Sequence, residues 1–294
     1  MKFFHSLFLL ASAAFALTAA AFQPDLEYGQ AGGESLRLDA CIPDGPGPFA
    51  AVILVHGGAW NAGDKSGGTG KGLIAPMFEP LTHAGFAWFS INYRLAPEHP
   101  YPACVEDVES AIRWVKAHAA EFRVDPKRIA LCGESAGAHL VALAAVRGTD
   151  ATRVAAVVPF YGPFDLVGRR QPGDALDPTM QKLFGSDKFD GPTAARMHEA
   201  SPLEHIKSGL PPFLLVHGTA DTRVPYRQST DFQAALVKAG VPCELITIPG
   251  GEHGMKGWAA LGSDYQAQVV GWLRRTLPPA PSVKTEAASP ARDK

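Results

Sequence analysis

The residue with the strongest chemical signature is Ser135, set in Gly133-Glu-Ser-Ala-Gly137. An apolar run, Arg128-Ile-Ala-Leu-Cys132, precedes it, and a helix-forming run, Ala138-His-Leu-Val-Ala-Leu, follows. A G-x-S-x-G turn between a strand and a helix presents a nucleophilic hydroxyl. The tight turn forces the serine into strained backbone angles, and glycines two residues to either side let strand and helix approach closely. The helix N-terminus then directs partial positive charge at the site, which favours a developing oxyanion.

A serine hydroxyl needs a base to take its proton. The histidines after Ser135 are 139, 198, 205, 217 and 253. His139 lies one turn along the same helix and points away from the turn. His217 ends an apolar strand before Gly218 and is expected to pack at the strand tip, while His198 and His205 fall in an irregular polar segment. His253 sits in Pro249-Gly-Gly-Glu-His-Gly254, a glycine-rich loop after the last strand, and is the expected base. An acid that orients the imidazole belongs at a strand end between serine and histidine. Asp221, after Phe213-Leu-Leu-Val-His-Gly-Thr-Ala, fits; the alternative is Asp165 in Tyr161-Gly-Pro-Phe-Asp165, expected instead to cap the next segment. Glu252 is too close to the histidine in sequence to serve. The backbone N–H of Ala136 is one expected oxyanion donor. A second should come from His56-Gly57-Gly58-Ala59-Trp60, the loop after the early strand Ala51–Val55, where His56 reads as a loop anchor.

These groups must be placed by a larger framework. Of 294 residues, 46% are hydrophobic and 19% charged, which favours a packed core over disorder. The near-even charge, 27 Lys and Arg against 29 Asp and Glu, gives no reason to expect nucleic acid or an anionic membrane surface. Short apolar runs at Leu36–Ile42, Ala51–Val55, Ala87–Asn92, Arg128–Cys132, Val154–Phe160, Phe213–Val216 and Glu244–Ile248 read as strands. Between them Val105, Val108, Ile112 and Val115 form one helical stripe, and Ala136–Val146, Tyr226–Lys238 and Asp264–Leu277 read likewise. This alternation predicts a mostly parallel sheet with helices on both faces, its reactive loops at the carboxyl ends of the strands. The alternation of Leu36, Leu38 and Ala40 with Arg37 and Asp39 predicts an antiparallel strand near one edge.

The ends read differently. Residues 1–21 carry Lys2, an apolar run and Ala19-Ala20-Ala21, the pattern of a signal peptide cleaved before Phe22. The catalytic domain is expected over 22–277, and residues 278–294, rich in Pro, Ala, Ser and charge, read as a disordered tail. The protein is thus expected in the periplasm or secreted, with no stable membrane insertion after cleavage. Four cysteines are too few for a disulfide scaffold. Cys132 and Cys243 are expected as buried free thiols, with Cys41–Cys104 as a candidate pair. No His/Cys spacing suggests a metal. Gly67-Gly-Thr-Gly-Lys-Gly72 lacks the first glycine and the Ser/Thr of a phosphate loop. Residues 165–209 are a candidate small cap, with Met180, Leu183 and Phe184 as its apolar residues.

Five segments occur in order: His56-Gly-Gly-Ala-Trp60, Asn92-Tyr-Arg-Leu-Ala-Pro-Glu-His-Pro-Tyr-Pro102, Gly133–Gly137, His217-Gly-Thr-Ala-Asp221 and the His253 loop. Over roughly residues 36 to 277 the chain resembles the α/β-hydrolase superfamily. It is most similar to bacterial acetyl and feruloyl esterases of plant polysaccharides and to hormone-sensitive-lipase-like carboxylesterases. Gly63-Asp64-Lys65 and Phe160–Leu166 favour the former. The lipase-like group carries a third glycine where this chain has Ala59, which leaves two donor pairs open, Gly57 with Gly58 or Gly58 with Ala59. The resemblance implies an eight-stranded sheet and ester hydrolysis through Ser135, His253 and Asp221, without metal or cofactor, on a small-molecule or carbohydrate ester. The other classes it leaves are a prolyl-peptidase-type serine peptidase and a non-catalytic ligand-binding relative.

Overall fold

Side chains alternate along the central strands, and the alternation divides the apolar residues between two faces of one sheet. The structure, a computed structural model, describes residues 20–67, 74–168 and 170–279. Its strands are β1 (Ala21–Ala31), β2 (Glu34–Ile42), β3 (Phe49–Val55), β4 (Ala87–Ile91), β5 (Val124–Glu134), β6 (Ala156–Phe160), β7 (Phe213–Gly218) and β8 (Cys243–Ile248). They lie in the order β1-β2-β4-β3-β5-β6-β7-β8. β1 with β2 and β2 with β4 are antiparallel, and the remaining pairs are parallel. The helices are α1 (Phe78–His83), α2 (Ala103–Ala117), α3 (Ala136–Val146), α4 (Pro178–Phe184), α5 (Gly191–Glu199), α6 (Arg227–Lys238) and α7 (Tyr265–Thr276). This is the α/β-hydrolase fold.

On β3, Ala51, Ile53 and Val55 enter the core beneath α2, α3 and α6, while Val52 and Leu54 enter the core beneath α1 and α7. β5 divides the same way, Ile129 and Leu131 against Ala130 and Cys132. Every residue of α3 is buried, as an all-apolar helix requires. Among the described residues, no helix is long and apolar enough to cross a membrane.

The strand β1 has no counterpart among the seven runs read from the sequence. Only Tyr28 of its residues is buried, and its register against β2 shifts twice, so it offers no clean alternation. The expected leader lies outside the described residues through residue 19, as does the expected tail from residue 280 and the glycine run from residue 68. Ala21, where cleavage was expected, begins β1 opposite Ile42. β2 is antiparallel and second from the edge, as its alternation predicts. All four cysteines are free: Cys41 and Cys104 belong to opposite cores, which rules out their pairing, and Cys243 is half-buried rather than buried.

The segment from residue 165 to 209 forms α4 and α5, each capped by an aspartate, Asp177 and Asp190. Met180, Leu183 and Phe184 are buried in the core, and Phe184 packs against Tyr101 at 5.7 Å between ring centroids.

The Asn92–Pro102 segment acts as a clamp. The backbone N–H and Nε of Arg94 donate to Asp107 on α2 at 2.8–3.0 Å, and Asp107 is only 1% exposed. Tyr93 donates its hydroxyl to the carbonyls of His56 and Gly57, and the Ala96 N–H donates to Trp60 O at 2.9 Å. Truncating one partner of a buried ion pair leaves the other charge uncompensated. Asp107→Ala should therefore cost about 3–5 kcal/mol in urea denaturation; a change within experimental error would show that the clamp is dispensable.

Two buried histidines give the fold a pH dependence. His56 has its Nδ1 2.7 Å from Gly57 O and its ring stacked on Tyr93. His139 accepts from Trp60 Nε1 and donates from Nε2 to Ala200 O at 2.7 Å. Burial pushes both down from 6.5 to about 4. An unfolded chain would bind these protons near pH 6.5, whereas the folded chain resists until about pH 4. Stability is thus full above 6.5 and declines as pH falls toward 4, by up to roughly 3 kcal/mol per histidine. Urea midpoints measured down that window should fall steadily; a flat midpoint would contradict neutral burial.

Candidate active site

β5 ends at Glu134 and α3 begins at Ala136, leaving Ser135 alone in the turn at φ 53°, ψ −116°. A non-glycine residue there stores about 1–3 kcal/mol of strain, which the surroundings must hold. They do so through the Ser135 N–H donating to Phe160 O at 3.0 Å and the His139 N–H donating to Ser135 O at 3.1 Å. Gly137 makes the turn fit: a Cβ on it would strike the carbonyl oxygens of Val55 and His56. Helix α3 therefore presses directly on the end of β3, where the expected oxyanion loop begins.

His253 follows β8 and reaches back over the turn. Its Nε2 lies 3.0 Å from Ser135 Oγ, and its Nδ1 lies 2.7 Å from Asp221 Oδ2. A neutral imidazole with Nδ1–H donating to the carboxylate leaves Nε2 to accept the serine proton. Tyr161, at φ 41°, packs its ring against the imidazole of His253 with the centroids 4.9 Å apart. The structure thus brings together the three residues that the sequence singled out.

Asp221 is buried, yet it carries four donors. Oδ1 accepts from the N–H groups of Arg223 and Val224 at 2.9 Å, and Oδ2 accepts from His253 and from His217 Nε2 at 3.2 Å. Burial pushes its pKa up. The hydrogen bonds from His217, His253 and Val224 outweigh burial and hold the carboxyl well below the usual carboxylate range.

The other candidates are placed elsewhere. Asp165 caps a turn, Oδ1 accepting from the N–H groups of Val167 and Gly168, and makes no hydrogen bond to His253 among the described residues. Glu252 is exposed. His198 pairs with Glu204 at the surface, and His205 bonds Glu199 O. His217 does pack at the strand tip, but it also bonds Asp221, which the sequence reading missed.

The oxyanion loop corrects one expectation. The Gly57 N–H donates to the buried Glu134 carboxylate at 2.6 Å, so it is spent inside the protein and is not an oxyanion donor. Gly58, Ala59 and Ala136 remain, and all three line the cavity beside Ser135. Gly58 stands at φ 104° and Ala59 at φ 55°, the left-handed turn that the loop needs to change direction. Lys65 pins the loop's far end by ion pairs to Asp25 and Asp39 at 2.9 and 2.7 Å. The signal for Glu134 was present in the sequence: an acid just after the apolar run Ile129–Cys132, beside the nucleophile.

The cavity measures about 1120 Å³. One wall comes from the 165–209 segment through Asp165, Arg170, Asp174, Asp177 and Met180; another comes from Arg223, Arg227 and Gln228 beyond β7. Leu183 and Phe184 lie beneath the first wall and support it. Among the described residues, no group of three His, Cys, Asp or Glu is arranged to hold a metal ion.

Comparison with known proteins places this geometry. The BD-FAE family model matches residues 38–236. The chain is 36% identical over 246 residues to the probable carboxylic ester hydrolase LipM of Mycobacterium tuberculosis, covering 78% of this chain and 55% of LipM. It is 33% identical over 265 residues to the esterase LipQ of the same organism, covering 85% and 61%. The chain thus spans less than two thirds of those relatives' length. Among solved structures, a truncated carbohydrate esterase from gut microbiota superposes with TM-score 0.75 at 27% identity, covering 88% of this chain and 97% of that one. Esterase 2 of Thermogutta terrifontis in its apo form gives TM-score 0.72 at 27% identity, covering 92% and 100%. The matched span runs from β2 into α6 and takes in the oxyanion loop, the serine turn and Asp221, so the chain belongs to the BD-FAE family within the α/β-hydrolases.

Proposed function

We propose that this protein is a serine carboxylesterase whose nucleophile is Ser135, whose base is His253 and whose orienting acid is Asp221. The single observation behind this reading is the hydrogen-bonded line from Ser135 Oγ through His253 to Asp221 Oδ2, at 3.0 and 2.7 Å, opening into the cavity. Ser135 Oγ attacks the acyl carbon while His253 Nε2 takes its proton. The N–H of Ala136, with those of Gly58 and Ala59, receives the oxyanion. His253 then gives the proton to the departing alcohol, and water, deprotonated by the same imidazole, releases the acid and restores Ser135. Asp221 keeps the imidazole in the right tautomer and stabilises its charged form.

The substrate read here is an acetyl or feruloyl ester of a carbohydrate. Polar and charged side chains on the walls, including Asp165, Asp174, Arg223 and Gln228, suit a hydroxyl-rich alcohol, and a solved relative is a carbohydrate esterase. Residues 1–21 support a periplasmic or secreted location, for which the mature N-terminus of exported protein, Phe22, is the check.

Turnover should be measured on p-nitrophenyl acetate and its longer homologues, acetylated xylan, methyl ferulate and a prolyl peptide amide. Short acyl and sugar esters are expected to react; turnover of the amide alone would favour a peptidase, and no turnover a binding protein. Ser135→Ala should abolish measurable hydrolysis, and Asp221→Asn should lower kcat by about 10⁴-fold, as in other triads. If Asp165→Asn cripples turnover and Asp221→Asn does not, the acid is misassigned. Activity should fall on acidification because a protonated His253 cannot accept the serine proton, while Asp221 stays ionised. Activity unchanged well below about pH 5 would overturn the base assignment.

A further inference from the structure

His217 ends the apolar part of β7 four residues before Asp221, and neither side chain has any exposed surface. Its Nε2 lies 3.2 Å from Asp221 Oδ2 and 3.0 Å from Val224 O. Both neighbours are acceptors at neutral pH, so Nε2 carries the hydrogen and shares it between them. On the other side, Nδ1 lies 2.7 Å from Ser229 Oγ on α6, a hydroxyl able to donate to this nitrogen. The network therefore places a hydrogen on Nε2. It also places two imidazole N–H groups on one carboxylate oxygen.

We propose that His217 is a positioning residue for hydrolysis. Its Nε2–H anchors Asp221 Oδ2 from behind, so that the oxygen faces His253 Nδ1, and it shares the charge that the carboxylate would otherwise direct wholly at His253. Ser229 holds the His217 ring from its other side. The inference rests on reading Ser135, His253 and Asp221 as the catalytic triad. The remaining groups facing the pair are few. Tyr161 lies 6.4 Å from His217 and 4.9 Å from His253, and Tyr226 lies 5.5 Å from His217 with its hydroxyl on Thr247. Arg223 and Glu134 line the same cavity as His253, and the Glu134 carboxylate already accepts from Gly57. Among the described residues, the side chains that donate to Asp221 are His217 and His253.

The sign of the effect follows from charge. A carboxylate relieved of the His217 donor stabilises a charged His253 more strongly, so His253 keeps its proton to higher pH and the acid limb of kcat/KM moves upward. The same carboxylate is also free to turn, which misaligns the imidazole and lowers kcat without touching the cavity that sets KM.

The test uses the full chain with p-nitrophenyl acetate across the pH range, comparing wild type, His217→Phe, His217→Gln, Ser229→Ala and Ser135→Ala. Phenylalanine keeps a ring without a donor, whereas glutamine restores an N–H at about the reach of Nε2. His217→Phe should lose about tenfold in kcat with KM within about twofold, the loss of one hydrogen bond to a charged group. Its acid limb should rise by about half a pH unit. His217→Gln should recover most of both, and Ser229→Ala should move the limb the same way by less. The proposal is overturned if His217→Phe matches wild type in kcat and pH profile. It is also overturned if the Phe and Gln variants are equally impaired with the limb unmoved, which is the behaviour of a packing residue. Should His217→Phe not fold, a pH profile for Ser229→Ala identical to wild type overturns it. The Ser135→Ala protein separates the two levels. Turnover near the wild-type rate there would sink the triad reading itself, whereas a severely impaired Ser135→Ala beside an unaffected His217→Phe would sink only the role of His217.

Discussion

The site depends on one close approach: the first turn of α3 lies against the last carbonyls of β3, with no side chain between them at Gly137. That contact fixes the angle at which β5 passes into α3 and so holds Ser135 in its strained conformation. The same carbonyls, Val55 and His56, are where β3 gives way to the oxyanion loop. The proposed nucleophile and the proposed oxyanion donors are therefore set by a single packing surface, which ties their relative position to the packing of α3 on the sheet. Preorganisation of this kind is what electrostatic stabilisation of a transition state requires.

Around that contact the chain invests its buried polar groups in holding one loop. Tyr93 and Glu134 bind it at His56 and Gly57, Trp60 is tied to His139, and Lys65 is tied to Asp25 and Asp39. Each is a satisfied partner for a group that would otherwise be costly to bury. Backbone torsions that side chains resist accumulate in the same place, at Ala59, Trp60, Ser135 and Tyr161. Strain gathers where the surroundings over-determine the conformation, which is the usual condition of a working site.

The parts visible in the sequence were those with a local signature. Parallel strands carry continuous apolar runs, and β3, β5 and β7 were evident for that reason. The serine turn announces itself through glycine spacing, and Asp221 and His253 through their places after strand ends. What escaped notice depends on contacts between distant segments. β1 buries only Tyr28 and has no pattern of its own to read. Gly57 and Ala59 stood as equal partners for Gly58 until Glu134, 77 residues away, was seen to occupy the Gly57 N–H. His217 read as strand filler because its partner Ser229 sits on a helix that sequence alone does not orient.

The wall over residues 165–209 hangs between β6 and β7, while Ser135, Asp221 and His253 arise from segments outside it. Its helices are closed by their own aspartate caps and rooted through Leu183 and Phe184. Reaction and recognition are therefore separable in heredity. Under the proposed function, insertions, deletions or changes of charge along that stretch would alter which substrates fit while leaving the proposed triad in place.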